Sequence, residues 1–200
     1  MQSRYNVINL KDFYLPNREF SISESDLTDF LASFSSPLNQ DIEQFLHRTA
    51  VESSKKGQSS TYIVIDNEYE HLAGYFTLSL RAISVPFTKV SKSMGRKLSR
   101  ISDFDNSTDS YTLAAYLIAQ LGKNFSVTKE QQIKGVDLLN MAHEQIMMSK
   151  YALGGIVEFL ECEDNAHLLD FYAKNSFIPF NTRKSKSMPP HSLHQLLRLI

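Results

Sequence analysis

Residues 111–135 read YTLAAYLIAQLGKNFSVTKEQQIKG, and the fold turns on how this stretch is read. It opens as an apolar strand ending in Gln120-Leu121-Gly122-Lys123 and passes through a polar loop from Lys129 to Gly135. A helix then opens at Val136 and runs to about Leu153. A second strand, Ile156–Cys162, follows. A second helix begins near Asp164-Asn165-Ala166 and carries Phe171-Tyr172 before Asn175-Ser176-Phe177 closes it. Strand, amide-rich loop, helix, strand, helix is a layout suited to a phosphate-bearing cofactor. The first turn of a helix leaves backbone N–H groups unpaired and carries the positive end of the dipole. An anion is held there, Gly135 lets it approach the backbone closely, and Lys134 adds a positive charge.

Upstream, Tyr5 to Leu10 alternates as a first strand, with Pro16-Asn17 as a turn after it. Leu27, Phe30, Leu31 and Phe34 recur with the spacing of one helix face, which Pro37 ends. A second helix runs from about Gln40, capped by Asn39, with Ile42, Phe45, Leu46 and Ala50 as its buried stripe. Lys55 and Lys56 lie in its last turn and Gly57 follows as the cap. Thr61–Asp66 and Leu72–Ile83, separated by Asn67 to Glu70, read as an antiparallel hairpin that Pro86 stops. The basic run with Lys89, Lys92, Arg96, Lys97 and Arg100 reads as a solvated loop or short helix.

The central helix is expected to bury Leu138, Leu139, Ala142 and Ile146, with Met147 and Met148 flanking that face and Gly154-Gly155 ending it. Ile156–Cys162 reads as an inner strand, apolar on both faces apart from Glu158 and Glu161. After Phe180 a polar loop with Arg183, Lys184 and Lys186 passes Pro189-Pro190 and leads to a last strand, Leu193–Ile200. The elements add up to an α/β (α+β) fold. A mixed, mostly antiparallel central sheet carries helices on both faces, in one domain over residues 1–200.

Composition excludes several classes. Apolar residues make up 42% and charged residues 22% of the chain, a globular mixture far from a disordered one. The formal net charge is -1, so any nucleic-acid partner must be met by a local patch rather than by the whole field. Cys162 is the single cysteine, which rules out an intrachain disulfide and suits a reducing compartment. No apolar run approaches a membrane span, and the N-terminus lacks the apolar region of a signal peptide. A cytoplasmic protein is expected.

The spacing Gln132-x-x-Gly135 resembles the pyrophosphate loop of the GNAT superfamily of N-acetyltransferases, whose usual form is Gln/Arg-x-x-Gly-x-Gly/Ala. Gln120 to Lys123 stands where that family ends the strand that holds the pantetheine arm. Asn165-Ala166 and Phe171-Tyr172 stand where it has an Asn and a Phe-Tyr pair, and Phe177 where it often shows Asn-Gly-Phe. Residues 41–81 look like the front half of the GNAT proteins related to toxin–antitoxin toxins, so the resemblance covers most of the chain. Two positions depart from the pattern: Asp137 replaces the last Gly/Ala of the loop, and Ser176 the Gly of Asn-Gly-Phe. Asn175 is expected to take the left-handed conformation there instead.

What the resemblance implies is an acetyl-CoA-dependent acyltransferase acting on a primary amine. The amine belongs to a small molecule, a protein or an aminoacyl-tRNA. Acetyl-CoA would be held by Leu121, Gly122 and Lys123, by the loop Gln132, Ile133, Lys134, Gly135, Val136 and Asp137, and by Asn165. Tyr172 would be the acid that protonates the departing thiolate. The plainer reading of Tyr172, three and four residues beyond Leu169 and Leu168, is core. Glu158 and Glu161 flank the proposed slot, but a water chain needs no dedicated base, and none is assigned. His143 and His167 sit on helices without a second His, Cys or carboxylate at ligand spacing, so no metal is expected, and Cys162 reads as buried and inert. The alternative is a GNAT-fold interaction protein without turnover, to which Asp137 in the phosphate loop points. A homodimer is left open, and no membrane partner is expected.

Overall fold

The computed structural model describes residues 3–185 and 190–200; Lys186 and Pro189 of the sequence reading lie outside them. In chain order the elements are β1 (Tyr5–Asn9), α1 (Lys11–Tyr14), α2 (Glu24–Ala32) and α3 (Gln40–Gln44). A π-turn, Phe45–Thr49, leads on to α4 (Ala50–Lys55), β2 (Ser60–Asp66) and β3 (His71–Pro86). Then come a 3-10 turn (Phe87–Lys89), α5 (Lys92–Leu98), β4 (Asp103–Asp105), β5 (Ser110–Lys123) and α6 (Gly135–Leu153). Last are β6 (Val157–Glu163), α7 (Ala166–Lys174), β7 (Ile178–Lys184) and β8 (Ser192–Leu199). The strands form an eight-stranded sheet in the order β1-β2-β3-β5-β6-β8-β7, with β4 paired to β5 off this path. The β5–β6 pair is parallel, while β1–β2, β2–β3, β4–β5, β6–β8 and β7–β8 are antiparallel. This is the mixed, mostly antiparallel α+β sheet that the sequence predicts.

The chain divides into two compact units, Met1–Ser79 with Ala119–Gln145, and Leu80–Ile118 with Ile146–Ile200. In the first, Leu10, Phe34, Leu46, Ile63, Leu72 and Tyr75 form the core. Ser23 caps α2 through the Asp26 N–H, and Asn39 caps α3 through the N–H groups of Asp41 and Ile42, as its sequence position predicts. The expected single second helix is interrupted by the π-turn. The Tyr75 hydroxyl donates to the Ile42 carbonyl (2.5 Å) just before it, and a side chain inserted into the helix ladder is a known cause of such irregularity. In the β2–β3 pair Val64 faces Gly74 but Ile65 faces Leu72, so Ala73 is an extra, bulged residue.

In the second unit Val85, Leu98, Phe159, Phe180 and Leu197 are core. Ser91 caps α5 through the Met94 N–H, which resolves the basic run into a short helix that buries Gly95 and Leu98. The polar stretch with Arg183 and Lys184, read as a loop, is instead part of strand β7, paired with β8. Its polar side chains are exposed at a sheet position, so apolar alternation fails as a signal there. Met147 and Met148 do not flank the core but are exposed. At the end of α7 the left-handed residue is Ser176 (φ 68), not Asn175. Asn175 stays at negative φ and spends its amide on the Phe171 carbonyl (2.8 Å). Among the described residues no helix is long and apolar enough to cross a membrane.

Candidate functional site

The opening of α6 lies in the first unit. The N–H groups of Asp137 and Leu138 both donate to the Lys134 carbonyl (3.1 and 3.2 Å), so Lys134 caps the helix. Among the described residues the backbone N–H groups of Gln132, Ile133, Lys134, Gly135 and Val136 take no hydrogen bond. Buried Ile133 anchors this run, and the Gln131 side chain closes the preceding turn by accepting from the Thr128 N–H and hydroxyl (3.3 and 3.2 Å). The sequence reading passed over Gln131, whose neighbour Gln132 matched the motif. Consecutive unpaired N–H groups beside an exposed lysine form a donor set that fits a diphosphate. Asp137 sits in the first helical turn, within electrostatic reach of Tyr5 on β1.

The end of β5 belongs to the same unit. Pairing with β6 runs from Tyr116–Glu158 to Ile118–Leu160, so residues 119–123 have no β6 partner. Gly122 is a glycine for packing reasons: a Cβ there would lie 2.5 Å from Ile42 Cγ2 and 3.1 Å from Phe34 Cζ. Gly74 touches the same place from β3, its virtual Cβ 2.7 Å from the Gly122 carbonyl oxygen, 3.2 Å from Lys123 Cα and 3.4 Å from Leu138 Cδ2. Strand end and first turn of α6 therefore converge on Gly74. Just past the strand, buried Asn124 receives the Ser35 and Ser126 N–H groups on its side-chain oxygen (2.9 and 3.0 Å). Its side-chain nitrogen donates to the Leu72 and Ser33 carbonyls (2.8 and 3.2 Å), and its own N–H to Ala73 (2.8 Å). The sequence reading missed Gly74 and Asn124. Neither sits in a local pattern, and only strand pairing reveals them.

Asn165 and Tyr172 belong to the second unit. Asn165 caps α7, its side-chain oxygen accepting from the His167 and Leu168 N–H groups (2.9 and 3.4 Å). Tyr172 is 9% exposed and meets Phe171 and Phe177 edge to face at 5.0 and 5.8 Å. Its hydroxyl takes no hydrogen bond among the described residues, whereas the buried Tyr75 and Tyr116 hydroxyls donate to the Ile42 and Gly154 carbonyls. Burial, and to a lesser degree the nearby Cys162, pushes the Tyr172 phenol up, so it stays protonated.

The two strand carboxylates are committed elsewhere. Glu158 is fully buried and ion-paired with Arg198, which also donates to the Asn175 carbonyl (3.1 Å) and lies over the Phe177 ring at 4.7 Å. Burial would raise the Glu161 carboxyl, but hydrogen bonds from Arg183 and from Gln195 (2.7 Å) outweigh it and hold the pKa below the usual range. Burial first, then Asp164 and Glu163, lifts the Cys162 thiol to about 11, so it is protonated and unreactive at neutral pH.

No protein-family model matches the chain. Solved structures do. A Tyr→Phe variant of KacT has a TM-score of 0.64 at 16% identity, over 98% of this chain and 95% of its own. AtaT complexed with acetyl-methionyl-tRNAfMet has a TM-score of 0.60 at 17% identity, over 95% and 93%. A Tyr→Phe variant of the toxin AtaT, bound to acetyl-CoA and the C-terminus of the antitoxin AtaR, gives 0.60 at 15% identity, over 98% and 94%. The fold is GNAT-like. Within that class this chain is similar, over nearly its full length, to the toxin–antitoxin acetyltransferases AtaT and KacT.

Proposed function

We propose that this protein is an acetyl-CoA-dependent N-acetyltransferase that moves an acetyl group to a primary amine, with residues 1–200 working as one domain. The observation that carries this reading is the unpaired run of backbone N–H groups from Gln132 to Val136 at the start of α6. The likeness to AtaT, solved with acetyl-CoA and with acetyl-methionyl-tRNAfMet, supports it. The same likeness favours the amine of an aminoacyl-tRNA over a small-molecule or protein amine.

Acetyl-CoA supplies an activated thioester carbonyl. On this reading the N–H groups of Gln132 to Val136, with the Lys134 ammonium, hold the diphosphate in front of the helix dipole. The backbone edge of Leu121, Gly122 and Lys123, free of a β6 partner, hydrogen-bonds the pantetheine arm and polarises the carbonyl. Asn165 fixes the start of α7 through its side-chain oxygen, and its side-chain nitrogen, without a partner among the described residues, is offered to the cofactor. As the amine nitrogen bonds to the carbonyl carbon and the C–S bond breaks, Tyr172 gives its hydroxyl proton to the sulfur. The proton shed by the amine returns through water to the Tyr172 oxygen. Water serves as base because Glu158 and Glu161 are held by arginines.

Asp137 favours a second reading, an interaction protein without turnover, because a carboxylate in the first turn repels a diphosphate. A thermal melt with acetyl-CoA separates the two. The enzyme reading expects a Tm that climbs with acetyl-CoA concentration. An unmoved Tm at millimolar acetyl-CoA selects the interaction protein.

A further inference from the structure

We propose that Glu158 and Arg198 are positioning residues for Tyr172, a buried ion pair that sets where the Tyr172 ring points. The two are register partners across β6 and β8, flanked by the apolar pairs Val157 with Leu199, Phe159 with Leu197 and Leu160 with Leu196. The Glu158 side chain is fully buried and that of Arg198 is 15% exposed. Replacing a buried ion pair by well-packed apolar residues is often neutral or stabilising, so stability alone gives no reason for charges at this register. Arg198 even keeps one buried nitrogen, Nη2, without a hydrogen-bond partner among the described residues.

What arginine adds, and an apolar residue cannot, is a hold on the end of α7. Its Nη1 donates to the Asn175 carbonyl (3.1 Å), and its guanidinium lies over the Phe177 ring at 4.7 Å. Both residues are tied to Tyr172. The Tyr172 carbonyl accepts the N–H groups of Asn175 and Phe177 (3.0 Å each), and the Phe177 ring meets the Tyr172 ring edge to face at 5.8 Å. A cation at a helix C-terminus also opposes the negative end of the dipole. Glu158 on β6 fixes the guanidinium in turn, because the planar fork binds a carboxylate and a carbonyl in set directions. The Tyr172 hydroxyl takes no hydrogen bond among the described residues, so the aim of the ring comes from its contacts with Phe171 and Phe177. A general acid works only within hydrogen-bond reach of the atom it protonates, and about 1 Å of misplacement can cost ~100-fold in rate. The inference rests on the proposed function for the use of the Tyr172 hydroxyl, whereas the position of the ring is measured without turnover.

The variant Glu158→Leu/Arg198→Met removes both charges together and so leaves no buried ion unpaired. Ring position is read by fluorine NMR on protein labelled with meta-fluorotyrosine, where the Tyr172 signal is the one that Tyr172→Phe deletes. Turnover is read as free CoA released from acetyl-CoA with methionyl-tRNA as acceptor. The double variant should melt near the wild-type temperature, and its Tyr172 signal should shift. Its kcat should fall ~10-fold or more, about the worth of a general acid, with KM for acetyl-CoA nearly constant. In the Tyr172→Phe background the same two substitutions should cost no further turnover, because groups that act as one unit are not additive. A pair with a merely structural role would lower turnover by the same factor in both backgrounds. Arg198→Lys keeps a charge beside Glu158 but loses the fork; it should move the same signal and lower kcat, and it remains a test if the double variant folds poorly. An unmoved Tyr172 signal, or an equal loss of turnover with and without the Tyr172 hydroxyl, would overturn the proposal. Wild-type turnover in Tyr172→Phe would overturn the acid reading alone, and the Tyr172 signal then still decides whether the pair sets the ring.

Discussion

Gly74 on β3 and Gly122 on β5 meet backbone to backbone, so closely that a Cβ on Gly74 would stand 2.7 Å from the Gly122 carbonyl oxygen. Neither side can yield cheaply, because the obstructing atoms are main chain. Gly74→Ala should cost about 1–3 kcal/mol of stability, the range for overpacking. It should also shift the strand end 121–123 and weaken acetyl-CoA binding. Urea denaturation and calorimetry read the two effects separately; unchanged binding in a destabilised variant would detach this strand from the cofactor.

Gly135 opens α6 among the free N–H groups. Gly135→Val keeps its N–H but places a branched side chain before the helix terminus. Acetyl-CoA affinity should fall much more than stability. Asp137→Ala, in contrast, should leave affinity equal or improved while losing about 0.3–1 kcal/mol of favourable helix-dipole interaction. Calorimetry on the folded variants decides, and equal affinity in Gly135→Val would remove the diphosphate from this loop.

Tyr172→Phe should change stability little, since the hydroxyl takes no hydrogen bond among the described residues. Turnover should drop ~10-fold or more, the loss of a general acid, with KM for acetyl-CoA nearly constant. Because burial raises the phenol above its free value of about 10, Tyr172 remains an acid across the neutral range. The wild-type rate should therefore show no falling limb from this residue between about pH 7 and 10. Stability follows the same sign. The unfolded tyrosine ionises near pH 10 and the folded one only above it, so the contribution is whole below that pH and is lost as pH rises further. A Phe variant with wild-type turnover would return Tyr172 to the core.

Asn124 saturates the side-chain amide in a buried position. Asn124→Asp replaces a double donor with an acceptor facing the Leu72 and Ser33 carbonyls, and each unsatisfied buried group costs about 1–3 kcal/mol. The variant should unfold at clearly lower urea concentration than wild type. Near-wild-type stability would mean that the loop after β5 is held by other contacts.

The strand-loop-helix order around Gln120–Gly135 was legible because it rests on local physics. Apolar runs, a polar loop and a glycine at the helix start all lie within a few residues of one another. The cap at Asn39 and the helix end at Gly57 were legible for the same reason. Strand β7 was not, since Arg183 and Lys184 are exposed there and their pairing with β8 is non-local. The left-handed Ser176 escaped too, because Asn175 is the better left-handed residue but is drawn off by the Phe171 carbonyl.

By itself, then, the sequence determined the order of elements and where α6 starts after its polar loop, because propensity, capping and periodicity act over one or two turns. Tertiary structure decided what surrounds that segment, with Gly74 under the strand end and Asn124 bridging Leu72, Ser33, Ser35 and Ser126. In the second unit it buried the Tyr172 ring and left its hydroxyl without a hydrogen bond among the described residues. It also placed Arg198 and Arg183 against Glu158 and Glu161. Those outcomes depend on which distant backbone and side chains share a small volume, and no local pattern encodes that.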